Sequence, residues 1–306
     1  VQDPECSTSY KLNGKTYESH YRKHRESPSS VYQTAKFIRR NSITAALHGN
    51  GIYLIDLMKG NAYADPRFPV ETEAFWTSLK ITRSLVEAIT FDGKPSFSPD
   101  VAVFIDEGSA ARMPLLGPPG ANNYGRSEGY YGATLQELSA AGLVYREYLL
   151  SDLLMPNFDT RSIRLAIFLN AFQLTDSVKS AITRKLKQGD RSLVFIYAAG
   201  LLDDNGKPNL NRMNDLLDMK VYRGGEPLPV PASCFMAVDQ AEISYGPPDA
   251  QAWDPWFFVD DKHVQTIGRY ESGKTAFAKA LLKSYSIYYS ALPGIPRQLW
   301  RYIAKQ

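Results

Sequence analysis

The most recognisable chemical pattern in the sequence is a match to the nucleotide-binding P-loop, G-x-x-x-x-G-K-[ST], over Gly268 to Thr275. A P-loop joins a strand to a helix, and enzymes that use it need further strands downstream and a magnesium-binding Asp. The chain ends at residue 306, which leaves too few residues for those elements. We therefore predict that this segment is a β-hairpin, which turns between Glu271 and Lys274.

Acidic residues follow the strand predicted over residues 101–105. Asp106 and Glu107 come directly after it, and Ser109 lies two residues further on. A serine nucleophile needs a sharp strand-to-helix turn with an oxyanion hole beside it, and acids are poor neighbours for such a hole. A serine hydrolase is therefore not favoured. A self-contained hydrolase of esters or glycosides that uses the two carboxylates remains an alternative.

Metal sites and redox chemistry find little support in the sequence. Asp260, Asp261 and His263 are ligand types within four residues, but such a run is more typical of an exposed turn. Cys6 and Cys234 lie too far apart for a zinc knuckle or a redox pair. We predict no metal and no cofactor.

Asp56 ends an apolar run, Ile52 to Leu57, which is typical of a buried parallel strand. A buried carboxylate costs free energy unless it is paired. In a barrel, that end of a strand faces the active site. A structural partner and a functional role for Asp56 both remain open.

The elements before residue 92 are too few to form a domain by themselves. Residues 1–29 are polar and irregular in pattern, a helix is predicted from about Val31 to Ala45, and a long amphipathic helix begins at Pro69. The single strand over residues 52–57 needs neighbours on both sides. Residues 1–95 therefore look like part of a larger structure, and Phe91 to Pro99 is predicted to be a linker.

Beyond residue 96 the pattern predicts an open, mostly parallel sheet with helices packed against it. Ligands in such sheets bind beyond the carboxyl ends of the strands. Here those ends carry Asp106, Glu107, Asn170 and Ala198. We predict strands over residues 101–105, 144–149, 165–169, 193–197 and 286–290, a loop over residues 108–129, helices over residues 131–140 and from 175 to 189, a hairpin insertion near 221–285 and a final helix from Pro296.

Composition excludes several classes of function. The net charge of +3 is spread along the chain without basic clusters, so no nucleic-acid partner is indicated. No apolar run approaches the roughly 20 residues that span a bilayer, and no signal peptide is visible in the polar residues 1–30. We expect no membrane partner, while the cellular compartment stays open.

The ordered segments resemble β-galactosidase-like glycoside hydrolases of the family-42 type. Residues 40–56, with Tyr63 to Pro66, resemble the last unit of the catalytic (β/α)-barrel in that family. Residues 101–109 resemble the first strand of the domain that follows the barrel, called the β-galactosidase trimerisation domain. Residues 165–172, 192–200 and 289–296 continue the resemblance in order.

The resemblance implies that the two domains have different roles. The second domain of the family is similar to class I glutamine amidotransferases but lacks their catalysis. This sequence agrees, because Ala198-Ala-Gly200 follows Tyr197 where those enzymes place a nucleophilic Cys. Retaining glycosidases use two carboxylates about 5 Å apart. In this family they lie at the ends of the fourth and seventh barrel strands, and neither can be assigned in this chain.

We therefore expect an α/β protein with a barrel-closing unit over residues 1–95 and an amidotransferase-like domain over residues 96–306. It would belong to a glycoside hydrolase that acts on β-linked sugars, be inactive by itself and form a homo-oligomer. Its catalytic residues are unknown. The residues expected to contact the carbohydrate substrate are Asp56, Asn61, Tyr63, Asp106 and Glu107.

Overall fold

A computed structural model of the chain describes residues 10–12, 15–17, 31–47, 69–89, 99–106, 108–109, 123–226, 234–238, 241–246 and 254–305. The chain divides into two compact units, Val1–Phe97 and Ser98–Gln306. Among the described helices, none is long and apolar enough to cross a membrane.

The first unit contains a hairpin and a helix pair. Strands β1 (Tyr10–Leu12) and β2 (Lys15–Tyr17) pair antiparallel, and helix α1 (Val31–Leu47) contacts helix α2 (Pro69–Ile89). Ile38 is buried, and Arg39 Nη2 donates to Ser78 Oγ at 3.0 Å. Both predicted helices are confirmed. The expectation of an irregular segment over residues 1–29 is wrong at β1 and β2, because the Asn-Gly pair between them favours a hairpin.

The core of the second unit is a parallel sheet of five strands. Its spatial order is β4-β3-β5-β6-β13, and all four interfaces are parallel. Numbered by chain order within the sheet, this is the 2-1-3-4-5 arrangement of flavodoxin-like folds. The predicted open parallel sheet is thus confirmed. The strands are β3 (Val101–Ile105), β4 (Tyr145–Leu149), β5 (Leu165–Phe168), β6 (Arg191–Ile196) and β13 (Tyr285–Ser290).

Continuous apolar runs explain why these strands lie at the centre. All four residues of β5 are buried, as are the last four of β6, and only a sheet covered on both faces buries both sides of a strand. The helices of eight or more residues in the described part of the second unit accompany the sheet. They are α3 (Asn123–Ala140), α4 (Asp176–Lys185), α5 (Leu210–Leu217) and α6 (Arg297–Lys305).

Two of these helices differ from the sequence-based expectation. Helix α3 begins at Asn123, inside the loop predicted over residues 108–129. Gly125 and Gly129 each make a helix about 1 kcal/mol less favourable than alanine would. The start of the helix was therefore predicted too late in the sequence. Helix α5 was not predicted. Its apolar positions Met213, Leu216 and Leu217 are buried. Because the helix has only eight residues, the helical spacing of these positions is a weak signal in the sequence.

The insertion extends the sheet in antiparallel fashion. Beyond β13 the order continues β12-β11-β8-β9, and β10 pairs with β12 and β7. The predicted hairpin over the P-loop-like motif is confirmed, because β11 and β12 pair antiparallel and a strand, not a helix, begins at Thr275. The strands are β7 (Val221–Arg223), β8 (Cys234–Val238), β9 (Ala241–Tyr245), β10 (Phe257–Val259), β11 (Gln265–Tyr270) and β12 (Thr275–Leu281).

The Arg191 guanidinium ties the amino end of the sheet to nearby loops. Its Nε donates to the carbonyl of Ile163 at 2.8 Å, and its Nη2 and Nη1 donate to the carbonyls of Thr160 and Gln188, both at 2.9 Å. The planar group serves acceptors that point in different directions, which one ammonium group cannot do.

We predict that Arg191→Met lowers the free energy of unfolding by about 2 kcal/mol, because these carbonyls lose their donors. Arg191→Lys should recover only part of the loss. Urea unfolding followed by circular dichroism measures both variants. Arg161→Met is the matched control, because Arg161 pairs with Asp159 on the exposed surface and should leave stability unchanged. Equal stability of Arg191→Met and the wild type would contradict this role.

Candidate functional site

The candidate site lies at the carboxyl edge of the parallel sheet, where strand order reverses. The chain passes from β3 to the outer strand β4 and then returns to β5 on the other side of β3. Sheets of this type bind ligands at such a switch point. The described residues that follow β3 and β5 there include Asp106 and Ser109 from one strand, and Asn170 and Phe172 from the other.

Asn170 holds the two strand ends together. Its Oδ1 accepts from the backbone amide of Asp106 at 2.8 Å, and its Nδ2 donates to the backbone carbonyl of Asp106 at 2.7 Å. The side chain is 3% exposed. One buried amide thus satisfies a backbone donor and a backbone acceptor beyond the last pair of the β3–β5 ladder.

The Asp106 carboxylate accepts hydrogen bonds from the helical residues Gly108 and Ser109 that follow it. It accepts from the backbone amides of Gly108 at 3.2 Å and Ser109 at 3.0 Å, and from the Ser109 hydroxyl. The fully buried Ser109 Oγ also accepts from the amides of Phe172 at 3.0 Å and Gln173 at 3.1 Å. The hydroxyl therefore bridges the two strand ends and is held away from solvent.

This arrangement favours structure over catalysis. The Ser109 hydroxyl donates to the Asp106 carboxylate rather than to a histidine, and that carboxylate also accepts from the backbone amides of Gly108 and Ser109. Both are fixed by contacts within the protein. The other predicted sugar-contacting residues, Asp56, Asn61, Tyr63 and Glu107, lie outside the described residues. The described part of the chain thus does not bring the predicted set together, and its role stays a prediction.

The turn after β6 combines a strained backbone conformation with a buried side chain. Tyr197 has a φ of 59°, which costs a residue with a side chain on the order of 1 kcal/mol. Its ring is fully buried, its hydroxyl donates to the carbonyl of Pro255 at 2.7 Å, and Tyr289 Oη donates to its carbonyl at 2.9 Å. The next described helix begins only at Leu210, so the turn lacks the strand-to-helix geometry of a nucleophile elbow, and the lack of amidotransferase chemistry at residues 198–200 stays a prediction.

Other candidate nucleophiles also lie in unsuitable settings. The pentapeptide Gly125 to Gly129 matches G-x-S-x-G, a match that the sequence reasoning missed. Ser127 lies inside helix α3 rather than on a strand-to-helix turn. Burial raises the pKa of the Cys234 thiol to about 12, so the reactive thiolate is scarce near neutral pH.

The acidic run near His263 forms a turn. Asp261 accepts from the backbone amides of Lys220 at 3.0 Å and His263 at 2.9 Å. The hydrogen bond from the His263 amide is the main cause that lowers the pKa of the Asp261 carboxyl. Within the described residues, no group of three or more His, Cys, Asp or Glu side chains is arranged to hold a metal ion.

Comparisons with known proteins place this arrangement in a known fold. No protein-family model and no curated protein matches the sequence. Among solved structures, a GH42 β-galactosidase from G. stearothermophilus superposes over 93% of this chain, with a TM-score of 0.63 and 11% identity. The chain shares its fold with part of the GH42 β-galactosidases. The fold predicted from the resemblance is therefore confirmed.

Two further structures define the extent of the similarity. A β-galactosidase from the haloarchaeon Halorubrum lacusprofundi matches 94% of the chain with a TM-score of 0.60 and 16% identity. An exo-β-1,4-mannosidase from Opitutaceae bacterium strain TAV5 matches 86% with a TM-score of 0.53 and 11% identity. The chain spans 41% of the length of the two β-galactosidases and 44% of the mannosidase.

We predict that Asn170→Leu lowers the free energy of unfolding by about 3 kcal/mol, because it leaves the buried amide and carbonyl of Asp106 without partners. Amide hydrogen exchange at Asp106 should also accelerate. Asn205→Ala, at an exposed turn position, is the control and should change neither quantity. Unchanged exchange at Asp106 in Asn170→Leu would show that the side chain does not hold the strand ends.

Proposed function

We propose that this chain works as part of a glycoside hydrolase that acts on β-linked sugars, with residues 98–306 serving as a non-catalytic assembly domain. The observation that carries the proposal is the superposition of 93% of the chain on a GH42 β-galactosidase. The match to a mannosidase supports β-linked sugars as the class without selecting one sugar.

The geometry of the carboxyl edge supports the non-catalytic role of the second unit. Asp106, Ser109 and Asn170 satisfy one another and the adjacent backbone, and Tyr197 fills the strained turn after β6 with a buried ring. An enzyme site needs a nucleophile or an acid whose reactive atom can reach substrate. None of these four side chains offers one.

In this proposal, residues 1–97 contribute to the wall of a catalytic barrel. Asp56, Asn61 and Tyr63 would contact the sugar there, and Asp106 with Glu107 would lie near the start of the second unit. The paired carboxylates that cleave the glycosidic bond would come from residues other than these, since the resemblance assigns them to earlier barrel strands.

We predict that the chain by itself does not hydrolyse nitrophenyl β-galactoside or nitrophenyl β-mannoside, because the resemblance assigns the paired carboxylates of a retaining glycosidase to barrel strands earlier than residues 1–97. Release of nitrophenol, with an active β-galactosidase as positive control, measures this. Turnover by the chain that is abolished in Asp106→Asn would contradict the proposal and support the self-contained carboxylate hydrolase instead.

A second expectation concerns assembly. Strand β4 is an edge strand of the described sheet, and large apolar side chains are exposed at its carboxyl end, namely Leu149, Leu154 and Met155. Exposed apolar side chains beside a strand edge are typical of a surface that pairs with another chain. This supports the homo-oligomer that the resemblance implies.

We predict that the chain, of 34.3 kDa, self-associates in sedimentation experiments as its concentration rises. Met155→Glu should weaken the association by roughly tenfold or more, because a carboxylate would have to be desolvated at the interface. Leu281→Glu is the matched control, since Leu281 is 78% exposed on a different part of the sheet, and it should not alter assembly. A single monomeric species at all concentrations would refute self-association.

A further inference from the structure

A small branch of the sheet lies beside the carboxyl end of β6. It consists of β7 and β10, which pair antiparallel with Phe257 opposite Arg223. The Tyr197 ring contacts the Phe257 ring edge-on, with centroids 5.6 Å apart, and Tyr197 also donates to the carbonyl of Pro255. The branch is thus fixed to the turn that ends β6, at the edge where sheets of this type meet ligands.

One side of the branch carries a group of aromatic rings crossed by a lysine. Tyr222 and Phe258 are directly paired across the strands, with rings 5.7 Å apart and inclined by 21°. Trp256 lies 5.7 Å from Phe258, and Lys274 Nζ is 4.0 Å from the centroid of the Phe258 ring and 5.2 Å from that of Trp256. We call these four residues the aromatic platform.

Packing contacts and a hydrogen bond fix the Trp256 ring of the platform. A Cβ atom on Gly224 would come within 1.9 Å of the Trp256 indole, so the ring lies directly against that backbone. The indole Nε1 donates to the carbonyl of Glu226, and Tyr270 packs edge-on against the same ring at 5.3 Å. An aromatic surface fixed in this way loses little conformational entropy when it binds a ligand.

The outer part of the platform is open. Tyr222 is 43% exposed and belongs to β7, which pairs only with β10 in the described sheet. Lys274 is exposed, and within the described residues its ammonium contacts aromatic rings without a carboxylate partner. The platform therefore offers solvent the ring of Tyr222, with the Lys274 ammonium as a hydrogen-bond donor over the neighbouring Phe258 ring.

These features match the two sides of a pyranose ring. One side of such a sugar is a row of C–H groups, which carry partial positive charge and are attracted to the negative face of an aromatic ring. The rim of the sugar carries hydroxyl oxygens, which accept from an ammonium group. An apolar peptide would cover the rings but would also desolvate the lysine without replacing its hydrogen bonds. The surface thus favours a sugar over an apolar protein segment.

We propose that the aromatic platform is a carbohydrate-binding surface that stacks one pyranose ring of a β-linked polysaccharide on Tyr222 and binds its hydroxyl groups through Lys274, whose ammonium lies over the neighbouring Phe258 ring. The choice of a β-linked sugar rests on the proposed function. The platform itself rests on the geometry of β7, β10 and the turn before β12.

Affinity electrophoresis of the whole chain tests this proposal. In native gels that contain soluble β-1,4-galactan or β-1,4-mannan, the wild type should migrate more slowly than in gels without polysaccharide, for at least one of the two. Tyr222→Ala should weaken the affinity roughly tenfold because the stacking surface is lost. Lys274→Ala should weaken it about threefold because a hydrogen-bond donor is lost. Tyr222→Phe should bind like the wild type, since it keeps the ring.

Phe235→Ala provides the matched control. Phe235 is 40% exposed on β8, which lies outside the branch, so its loss should leave migration unchanged if binding is local to the platform. Thermal unfolding of each variant confirms that it is folded. Wild-type migration that neither polysaccharide retards, or retardation that persists in Tyr222→Ala, would overturn the proposal.

The outcome is separable from that of the proposed function. Failure to bind either polysaccharide would leave the assembly role and the absence of turnover as they stand. Conversely, turnover that depends on Asp106 would refute the non-catalytic role without affecting the loss of binding in Tyr222→Ala.

Discussion

The parallel half of the sheet depends on one stack of aromatic rings that crosses four strands. Tyr148, Phe104, Phe168 and Phe195 occupy paired positions on β4, β3, β5 and β6, with ring centroids 5.7, 5.2 and 4.4 Å apart. Because side chains alternate between the two faces of a strand, a slip of one residue would move a ring to the opposite face and break the stack. The stack therefore fixes the register, and the register decides which residues meet at the carboxyl edge.

Asp106 and Asn170 follow Phe104 and Phe168 by two residues each, so the same register brings them side by side. The buried amides and carbonyls beyond the last ladder bond need partners, and Asn170, Asp106 and Ser109 supply them. In a sheet that binds a ligand at this point, part of that hydrogen bonding would be left for the ligand. Here the side chains of Asp106, Ser109 and Asn170 make these hydrogen bonds within the protein, which stabilises the edge.

How much of this could be predicted from the sequence depends on how local the signal is. The apolar runs of β5 and β6 and the start of the helix near Thr175, whose side chain accepts from the Val178 amide, are local signals, and the sequence predicted both strands and this helix. Helix α3 was predicted too short because its glycines weaken the helical signal in the local sequence. The bond between Asn170 and Asp106 joins residues 64 positions apart. Nothing in either residue's neighbourhood indicates its partner, so Asp106 was interpreted as a candidate sugar contact or as a carboxylate of the alternative hydrolase.

The remaining motifs show why chemistry has to be assigned from the surrounding elements. Lys274 would hold phosphate if a helix followed it, but a returning strand follows, and the ammonium lies over Phe258 instead. Tyr197 keeps a strained backbone conformation while its side chain is buried in the core. At such a position, strand register and turns determine the backbone conformation. What surrounds the side chain determines which chemistry it can do. The fold is therefore shared at 11% identity, while the chemistry available to each side chain has to be identified from its own contacts.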